Sequence, residues 1–212
     1  KGLNKLNMYS YSLFKELLPF IQVAQALAQK YDVVCTNPPY MNSSYMPTKL
    51  KKFVQNEYPD FKNDLFAVST NRVVRMTKEN GHIGLLMPYV WMFISSYEKM
   101  RKWVNNNTNI TSLVQLEYNA FEAACVPVAT LTMCKTTVGS KGEYIRLSEF
   151  RGSENQSIKT LEAINNPSCG YRFTASQNNF PKIPGSPIAY WVNNNVIKLF
   201  EDNIALGNIA SP

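Results

Sequence analysis

The sequence contains few of the residues that metal sites and disulfide frameworks require. Its 212 residues include one histidine, His82, and four cysteines without any C-x-x-C spacing. A histidine-based zinc site and a Ser-His-Asp triad are therefore not expected. Because Cys35 and Cys134 lie within apolar runs, we predict reduced core cysteines, no metal site and an intracellular protein.

Glycine-rich turns and long apolar runs are also absent. Cofactors that carry a nucleotide often bind where a G-x-G turn follows a strand, because the backbone there must approach them closely. No G-x-G occurs among the nine glycines, and neither Gly81/Gly84 nor Gly139/Gly142 leads from a strand into a helix. No apolar run approaches the roughly 20 residues of a membrane span, and no secretion signal is evident, so we expect no membrane partner.

The composition indicates a globular and basic chain. Hydrophobic residues make up 45%, which is enough for a sizeable core in one domain or one and a half. The formal net charge of +7 and the pI of about 9.2 favour an anionic partner, with nucleic acid the natural candidate. Charge alone is also compatible with a moderately basic surface that binds no partner.

The most informative stretch is residues 31–40, YDVVCTNPPY. The apolar, β-branched residues before Asn37 predict a short strand. Two prolines then stop the strand, because neither can donate a ladder hydrogen bond. We therefore predict that Asn37, the Pro38 carbonyl and Tyr40 lie at the carboxyl end of a strand, where open α/β sheets bind ligands. A plain strand-to-turn exit is the alternative, since Asn-Pro is an ordinary turn signal.

This strand followed by Asn37-Pro38-Pro39-Tyr40 resembles the motif of S-adenosylmethionine-dependent amino-methyltransferases. It is most similar to that of N6-adenine DNA methyltransferases whose target-recognition domain follows the catalytic domain. The resemblance implies an α/β, Rossmann-like methyltransferase fold whose sheet ends in an antiparallel hairpin. It also implies that Asn37 and the Pro38 carbonyl each accept one N–H group of an exocyclic amine. Pro38 and Pro39 would hold this carbonyl in place, and a flipped base would stack on Tyr40.

The resemblance further implies roles outside the motif. S-adenosylmethionine would be the cofactor, with Asn37 and the helix start Asp64-Leu65-Phe66 at its pocket; for Asp64, a simple helix N-cap is the alternative. Phe121, just before the last strand, would stack on the flipped adenine, or else anchors the turn as a core residue. Segment 41–63 mixes lysines with aromatic residues, which suits a nucleic-acid backbone and an unstacked base, or a solvated loop with a short helix near 50–55.

The remaining sequence predicts alternating helices and strands. Helices are expected over 1–30, with a kink or break at Pro19, and over 64–80, ending at Asn80-Gly81; strands are expected over 82–88, 110–117 and 126–134. The strand that begins at residue 31 and strand 82–88 should be parallel neighbours, and the last two strands an antiparallel pair. Beyond residue 136, one further strand is expected over 143–150 and helices over 157–164 and 190–200.

The missing G-x-G favours a chain that is one part of a larger protein. In the resembling family the glycine-rich motif precedes Asn-Pro-Pro-Tyr. We therefore predict that residues 1–136 are the second half of a methyltransferase domain, and that residues 137–212 are a linker and the beginning of a target-recognition domain. Such a piece should bind the cofactor weakly and should not methylate. A homodimer through the unpaired edge of its sheet is also expected.

The predicted function is that of an adenine-N6 DNA methyltransferase from a bacterial restriction–modification or BREX-like phage-defence system, acting on double-stranded DNA in the cytoplasm. Two alternatives remain open. A protein-glutamine or RNA amino-methyltransferase would use the same motif on another planar amide or amine. A non-catalytic binding module is favoured for this chain by the missing glycine-rich motif.

Overall fold

A computed structural model describes residues 8–121, 126–137 and 139–202 of the chain. The first half consists of α1 (Met8–Ala28), β1 (Tyr31–Thr36), α2 (Thr48–Glu57), α3 (Leu65–Met76) and β2 (Thr77–Pro88). The 3-10 segments Tyr89–Met92 and Ser95–Tyr97 follow, then α4 (Glu98–Asn107), β3 (Asn109–Gln115) and β4 (Val128–Cys134). The rest contains β5 (Lys141–Arg146), α5 (Ser153–Asn165), β6 (Arg172–Ser176), the 3-10 segment Gln177–Lys182 and α6 (Asn194–Asp202). None of the helices in these ranges combines the length and apolarity needed to cross a membrane.

The six strands form one mixed sheet in the order β1-β2-β4-β3-β5-β6. The pairs β1–β2 and β3–β5 are parallel, and the other neighbouring pairs are antiparallel. It follows that β1, β2, β3 and β5 all point the same way, so their carboxyl ends share one edge of the sheet, which we call the carboxyl edge. The α/β class, the parallel β1–β2 pair and the antiparallel β3–β4 pair are confirmed.

β2 and β4 are neighbouring inner strands of the sheet and supply much of the core. Ile83, Leu85 and Met87 alternate along β2, and Leu131 and Met133 along β4, as the two-residue period of a strand requires. All five are buried in one cluster with side chains from α3 and α4. Burial of each such side chain stabilises the fold by roughly 1.5–3 kcal/mol relative to exposure, which holds the strand ends in fixed positions.

The boundary between α3 and β2 lies earlier in the chain than the sequence indicated. The helix ends at Thr77, whose backbone is extended and whose hydroxyl donates to the Val73 carbonyl at 2.8 Å. Asn80 does not terminate a helix. It lies within β2 with φ 61°, and its N–H donates to the Lys135 carbonyl at 2.9 Å. The prediction of a helix reaching Asn80-Gly81 was therefore wrong, and these two residues form an irregularity at the start of the strand.

β1 lies at one edge of the sheet and is covered only in part. Val34 packs against the main core, but Val33 on the other face is 57% exposed and Cys35 is also exposed, so the prediction that Cys35 is a core residue was wrong. An apolar run predicts a fully buried strand only when other elements cover both of its faces, and the described elements cover one face of β1 in part. α1 is also open: it continues through Pro19 without a break, and its apolar side chains, such as Leu17 and Ile21, are exposed.

Residues beyond 136 extend the same sheet. β5 pairs with β3 and β6 pairs with β5, and a second, smaller core forms where Ile145 and Leu147 meet Ala163 of α5. The predicted strand and helix in this region therefore exist, although both begin earlier than expected. The assignment of residues 137–212 to a linker and recognition region stays a prediction.

Candidate active site

The segment that follows β1 folds as its prolines dictate. Neither proline has a backbone N–H, so the ladder between β1 and β2 ends at Thr36. Pro38 is buried and anchors the segment, whereas Asn37 and Tyr40 are exposed on either side of the proline pair. The Asn37-Pro38-Pro39-Tyr40 motif therefore lies directly beyond the end of β1, at the carboxyl edge of the sheet.

Tyr40 contacts Asn37 through its hydroxyl group. The Oη atom lies 2.9 Å from Asn37 Oδ1 and 3.1 Å from the Leu86 carbonyl oxygen. A phenol carries one proton, so it donates to one of these acceptors at a time. The bond to Oδ1 fixes the rotation of the amide and leaves a second lone pair on that oxygen for another donor. Partial burial raises the pKa of Tyr40, so the hydroxyl remains a donor at neutral pH.

Asp64 caps α3 and ties the helix to the motif. Its Oδ1 accepts from the Phe66 N–H at 3.2 Å and from the Met41 N–H, directly after Tyr40, at 2.9 Å. Burial raises the pKa of Asp64, and the N–H donors offset this only in part. The geometry therefore shows Asp64 as the N-cap of α3, which was the alternative to a cofactor contact. Its predicted contact with cofactor stays a prediction.

Tyr40 packs against a row of aromatic rings. The ring of Phe66 meets Tyr40 edge-on at 6.4 Å between centroids and lies 5.4 Å from Tyr97. Phe66 is only 1% exposed, so its ring has no open face for a ligand. Burial and the nearby Asp64 carboxylate raise the pKa of Tyr97 to about 12. The structure thus brings Asn37, Tyr40, Asp64 and Phe66 together.

Two members of this arrangement escaped sequence reasoning. The Leu86 carbonyl is a backbone group, so no residue type in the sequence identifies it. Its position near the end of β2 was nevertheless predictable, because β2 was expected to pair with β1. Tyr97 was not singled out as a site residue, because the sequence around it indicates only the start of a helix. Only its aromatic character marked it, and that equally fits an ordinary core residue.

Phe121 lies at the same edge but apart from Tyr40. It follows β3, whose carboxyl end faces the same way as that of β1, and it is largely exposed. In the part of the chain that the structure describes, no ring contact joins Phe121 to Tyr40. Residues 122–125, directly after it, lie outside the described residues. The stacking role of Phe121 stays a prediction.

A basic helix follows the motif. α2 lies in segment 41–63, where a short helix was one of the two alternatives, and it carries Lys49, Lys51 and Lys52. Among the described residues, no carboxylate pairs with these three lysines. A shallow groove of about 390 Å³ lies between α2, α3 and the motif, and Pro38, Pro39, Phe53 and Tyr58 are among its lining residues.

Within the described ranges, no group of three or more His, Cys, Asp or Glu side chains could hold a metal ion. Cys35, Cys134 and Cys169 are free thiols, and Cys125 lies outside those ranges.

The chain is similar to named methyltransferases over most of its length. It is 38% identical over 201 residues to the adenine-specific methyltransferase PglX of Lacticaseibacillus casei, a match that covers 92% of this chain and 17% of PglX. It is 37% identical over 195 residues to the adenine-specific methyltransferase BrxX of Escherichia coli, covering 92% of this chain and 16% of BrxX. The chain thus spans less than a fifth of the length of these curated relatives.

Solved structures share the fold at low sequence identity. The type ISP restriction-modification enzyme LlaGI, solved as a nuclease-deletion mutant with a DNA substrate mimic, superposes with a TM-score of 0.60 at 11% identity, covering 84% of this chain and 20% of LlaGI. The methyltransferase subunit of a type I restriction-modification system from Streptococcus thermophilus gives a TM-score of 0.53 at 19% identity, covering 73% of this chain and 36% of the subunit. These similarities show the fold alone.

A family model described as Eco57I restriction-modification methylase matches residues 3–121, which include α1, the Asn37 motif, α3 and β2. This match covers more than half of the chain, and the relatives above agree with it. The chain belongs to the family of Eco57I-type restriction-modification methylases.

Proposed function

We propose that the full-length protein is an adenine-N6 DNA methyltransferase of a restriction–modification or BREX-like system, and that residues 37–40 form its catalytic motif. The observation that carries this proposal is the 2.9 Å contact between Tyr40 Oη and Asn37 Oδ1, which holds an exposed amide oxygen in a fixed rotation beside an aromatic ring. Membership of a methylase family and similarity to the adenine-specific methyltransferases PglX and BrxX support it.

The motif is suited to activating an exocyclic amine. The amine of adenine is a weak nucleophile because its lone pair is delocalised into the ring. In the proposed complex, Asn37 Oδ1 and the Pro38 carbonyl oxygen each accept one of its N–H groups, which turns the lone pair toward the methyl donor. Tyr40 holds the Asn37 amide and packs its ring against the flipped base, and Pro39 limits the movement of the loop.

S-adenosylmethionine, when bound, supplies the methyl group: the new N–C bond forms as the S–C bond breaks, and the electron pair stays on sulfur. The surplus amine proton leaves to water after transfer. The residues on the motif contribute positioning and charge complementarity, and no general base is needed beforehand.

The described residues fit one side of a cofactor site. We propose Asn37, Asp64 and Phe66 at this site. Asn37 is the exposed member, whereas buried Asp64 and Phe66 fix the start of α3 and the Tyr40 ring. The 212 residues contain no G-x-G turn, so the chain alone should bind S-adenosylmethionine weakly and should not methylate. Tight binding to the isolated chain in calorimetry would contradict this.

The proposed substrate is double-stranded DNA. Lys49, Lys51 and Lys52 of α2, which no described carboxylate neutralises, would bind phosphates beside the motif, and Phe121 would provide a second ring for the flipped adenine. Residues 137–212 would be the linker and the first part of a target-recognition domain. A DNA substrate places the protein in the bacterial cytoplasm.

We also propose that the isolated chain self-associates through β1. An exposed edge strand with apolar side chains such as Val33 is a template for pairing with a second copy. Sedimentation velocity of the 212-residue chain should show a dimer at micromolar concentration, and a monomer at all concentrations would refute the pairing.

The decisive experiment for the function uses the full-length protein with isotopically labelled S-adenosylmethionine and a mixture of DNA, RNA and protein. We expect label in N6-methyladenine of DNA, and none with Asn37→Ala. Asn106→Ala is the matched control, because Asn106 is exposed near the end of α4, just before β3 begins and thus at the opposite edge of the sheet from the motif. Label found only in RNA or protein would replace the DNA proposal with the other amino-methyltransferases. Label in no substrate would leave a binding module.

A further inference from the structure

An exposed cluster of two aromatic rings and an arginine lies outside the Asn37 motif. The rings of Phe93 and Trp191 are 5.6 Å apart at an angle of 57°, and Arg146 Cζ lies 5.0 Å from the centroid of the Trp191 ring. Phe93 and Trp191 each remain 37% exposed. We call Phe93, Trp191 and Arg146 the aromatic platform.

The aromatic platform is placed at the carboxyl edge of the sheet. Arg146 is the last residue of β5, and Phe93 directly follows the 3-10 segment that continues β2. β5 is the fourth neighbour from β1 in the strand order, which corresponds to about 19 Å at the usual spacing of about 4.8 Å per strand. This distance is about six steps of a DNA strand at about 3.4 Å each.

A buried arginine holds the platform in position. Arg101 is 1% exposed, and its guanidinium group donates at 2.7–3.1 Å to four backbone carbonyls, those of Trp91, Ile94, Gly185 and Ser186. The first two flank Phe93, and the other two precede Trp191 by a few residues. A further bond from the Ile188 N–H to the Met92 carbonyl, 3.0 Å long, joins the same two segments. The two rings are therefore fixed before any ligand arrives.

Trp191 also packs against aromatic residues of the core. Its ring meets Tyr190 at 5.0 Å and nearly at right angles, and Tyr190 stacks on Tyr144 at 4.8 Å. The Tyr190 hydroxyl donates to Gln115 Oε1 at 2.7 Å. These contacts hold the inner side of the indole, so its exposed part is a rigid surface.

Arg146 supplies a positive charge to this surface. Its Nε donates to Ser148 Oγ at 3.1 Å, and it forms no ion pair within the described part of the chain. Glu149 lines a groove together with Arg146 but forms no ion pair with it. A guanidinium group over an indole suits both a phosphate and the face of a base or sugar. The formal net charge of +7 also favours a polyanion at such a surface.

We propose that the aromatic platform is a second nucleic-acid contact, in which Arg146 binds a phosphate and the exposed parts of Trp191 and Phe93 pack against sugars of the same strand, about six nucleotides from the target adenine. The identification of the nucleic acid as DNA rests on the proposed function. The platform contributes affinity and leaves the chemistry of the motif unchanged.

The test measures binding of the full-length protein to a labelled duplex by fluorescence anisotropy over a range of salt. Loss of one phosphate contact in Arg146→Ala should lower the slope of log K against log salt by about 0.9. Trp191→Ala should weaken binding about fivefold, because it removes the ring that packs against the sugars and carries the Arg146 guanidinium, a loss of about 1 kcal/mol. Trp191→Phe should retain most of the affinity, which separates loss of the ring contact from a folding defect.

Lys141→Ala is the matched control. Lys141 is exposed and is the first residue of β5, so it lies on the same strand as Arg146 but at the opposite edge of the sheet. Its replacement should leave affinity and salt slope unchanged. An effect equal to that of Arg146→Ala would overturn the proposal, because it would reveal a general charge effect.

Activity distinguishes failure of the platform from failure of the proposed function. The platform variants should raise KM for DNA and keep kcat, whereas Asn37→Ala should abolish methylation and retain binding. If the wild type methylates DNA and both platform variants bind DNA as tightly as the wild type, the platform's role in binding is refuted and the proposed methyltransferase function stands. If the wild type methylates only RNA, weaker RNA binding by the variants supports the platform alone. A wild type that binds no nucleic acid overturns it.

Discussion

Replacing Arg101 with methionine should loosen the segment that carries Trp191. The substitution keeps the apolar stem and removes every guanidinium donor to the four carbonyls described above. Hydrogen bonds to a charged group are worth about 1.5–3 kcal/mol each, or roughly 6–12 kcal/mol for four acceptors. Desolvation of the buried guanidinium group offsets several kcal/mol of this sum. We expect a net loss of about 3–5 kcal/mol in the local stability of residues 183–192.

Hydrogen exchange of the full-length protein measures this loss directly. The Ile188 amide, which donates to the Met92 carbonyl across the two segments, is the reporter. Since each 1.4 kcal/mol is a factor of about ten, its exchange should accelerate at least about a hundredfold in Arg101→Met.

Lys102→Met is the matched control for this measurement. Lys102 is on the same helix, but it is exposed and pairs only with Glu98 at 2.7 Å, a surface contact worth less than about 1 kcal/mol. Its replacement should leave Ile188 exchange nearly unchanged. If Arg101→Met were as mild as this control, the four carbonyls would find other donors at little cost and the reasoning would be refuted.

Substitutions at three further positions test individual contacts. Tyr40→Phe removes the donor to Asn37 Oδ1 and should lower kcat about tenfold with little change in KM for DNA, as the loss of one well-oriented hydrogen bond requires; an unchanged kcat would show that Asn37 needs no such restraint. Asn71 is fully buried and its amide atoms have no partner among the described residues, so Asn71→Leu should keep or raise the melting temperature; a clear fall would reveal a partner. Burial raises the pKa of Asp64, so the stability it contributes is fully present below its ordinary pKa of about 3.8 and declines as the pH rises through the raised native value. Asp64→Asn should abolish this decline and keep the cap, whereas Asp64→Ala should cost about 1 kcal/mol throughout in denaturant titrations.

The sequence predicted those features that depend on local chemistry. The end of β1 followed from two residues without an N–H, and the α/β class followed from apolar runs with prolines or polar residues between them. The antiparallel β3–β4 pair followed from the short connection between two apolar segments. The grouping of Asn37 with Tyr40 followed from their spacing after one strand end.

Features that depend on tertiary contacts were not predictable. Asn80-Gly81 reads as a helix end by composition, yet Asn80 reaches positive φ within a strand because Lys135 of a distant segment bonds to it. Cys35 was expected inside because its neighbours are apolar, but burial depends on what covers a strand. Nothing local marked Arg101 as buried, since its four acceptors are backbone atoms of two segments, one of them more than 80 residues away.

The parallel pairing of β5 with β3 limits the positions at which segments of two related proteins could be exchanged to alter recognition. A chimera joined at residue 136 would strip β5 from β3 and expose the N–H and C=O groups between Ser112 and Gln115. It would also remove the stacked rings of Tyr144 and Tyr190, and with Tyr190 the hydroxyl that donates to Gln115 Oε1. The amino-acid composition changes at residue 136, but the sheet and the side chains packed against it continue to Trp191. Recognition segments grafted after that residue should leave the sheet intact, whereas grafts at 136 should aggregate.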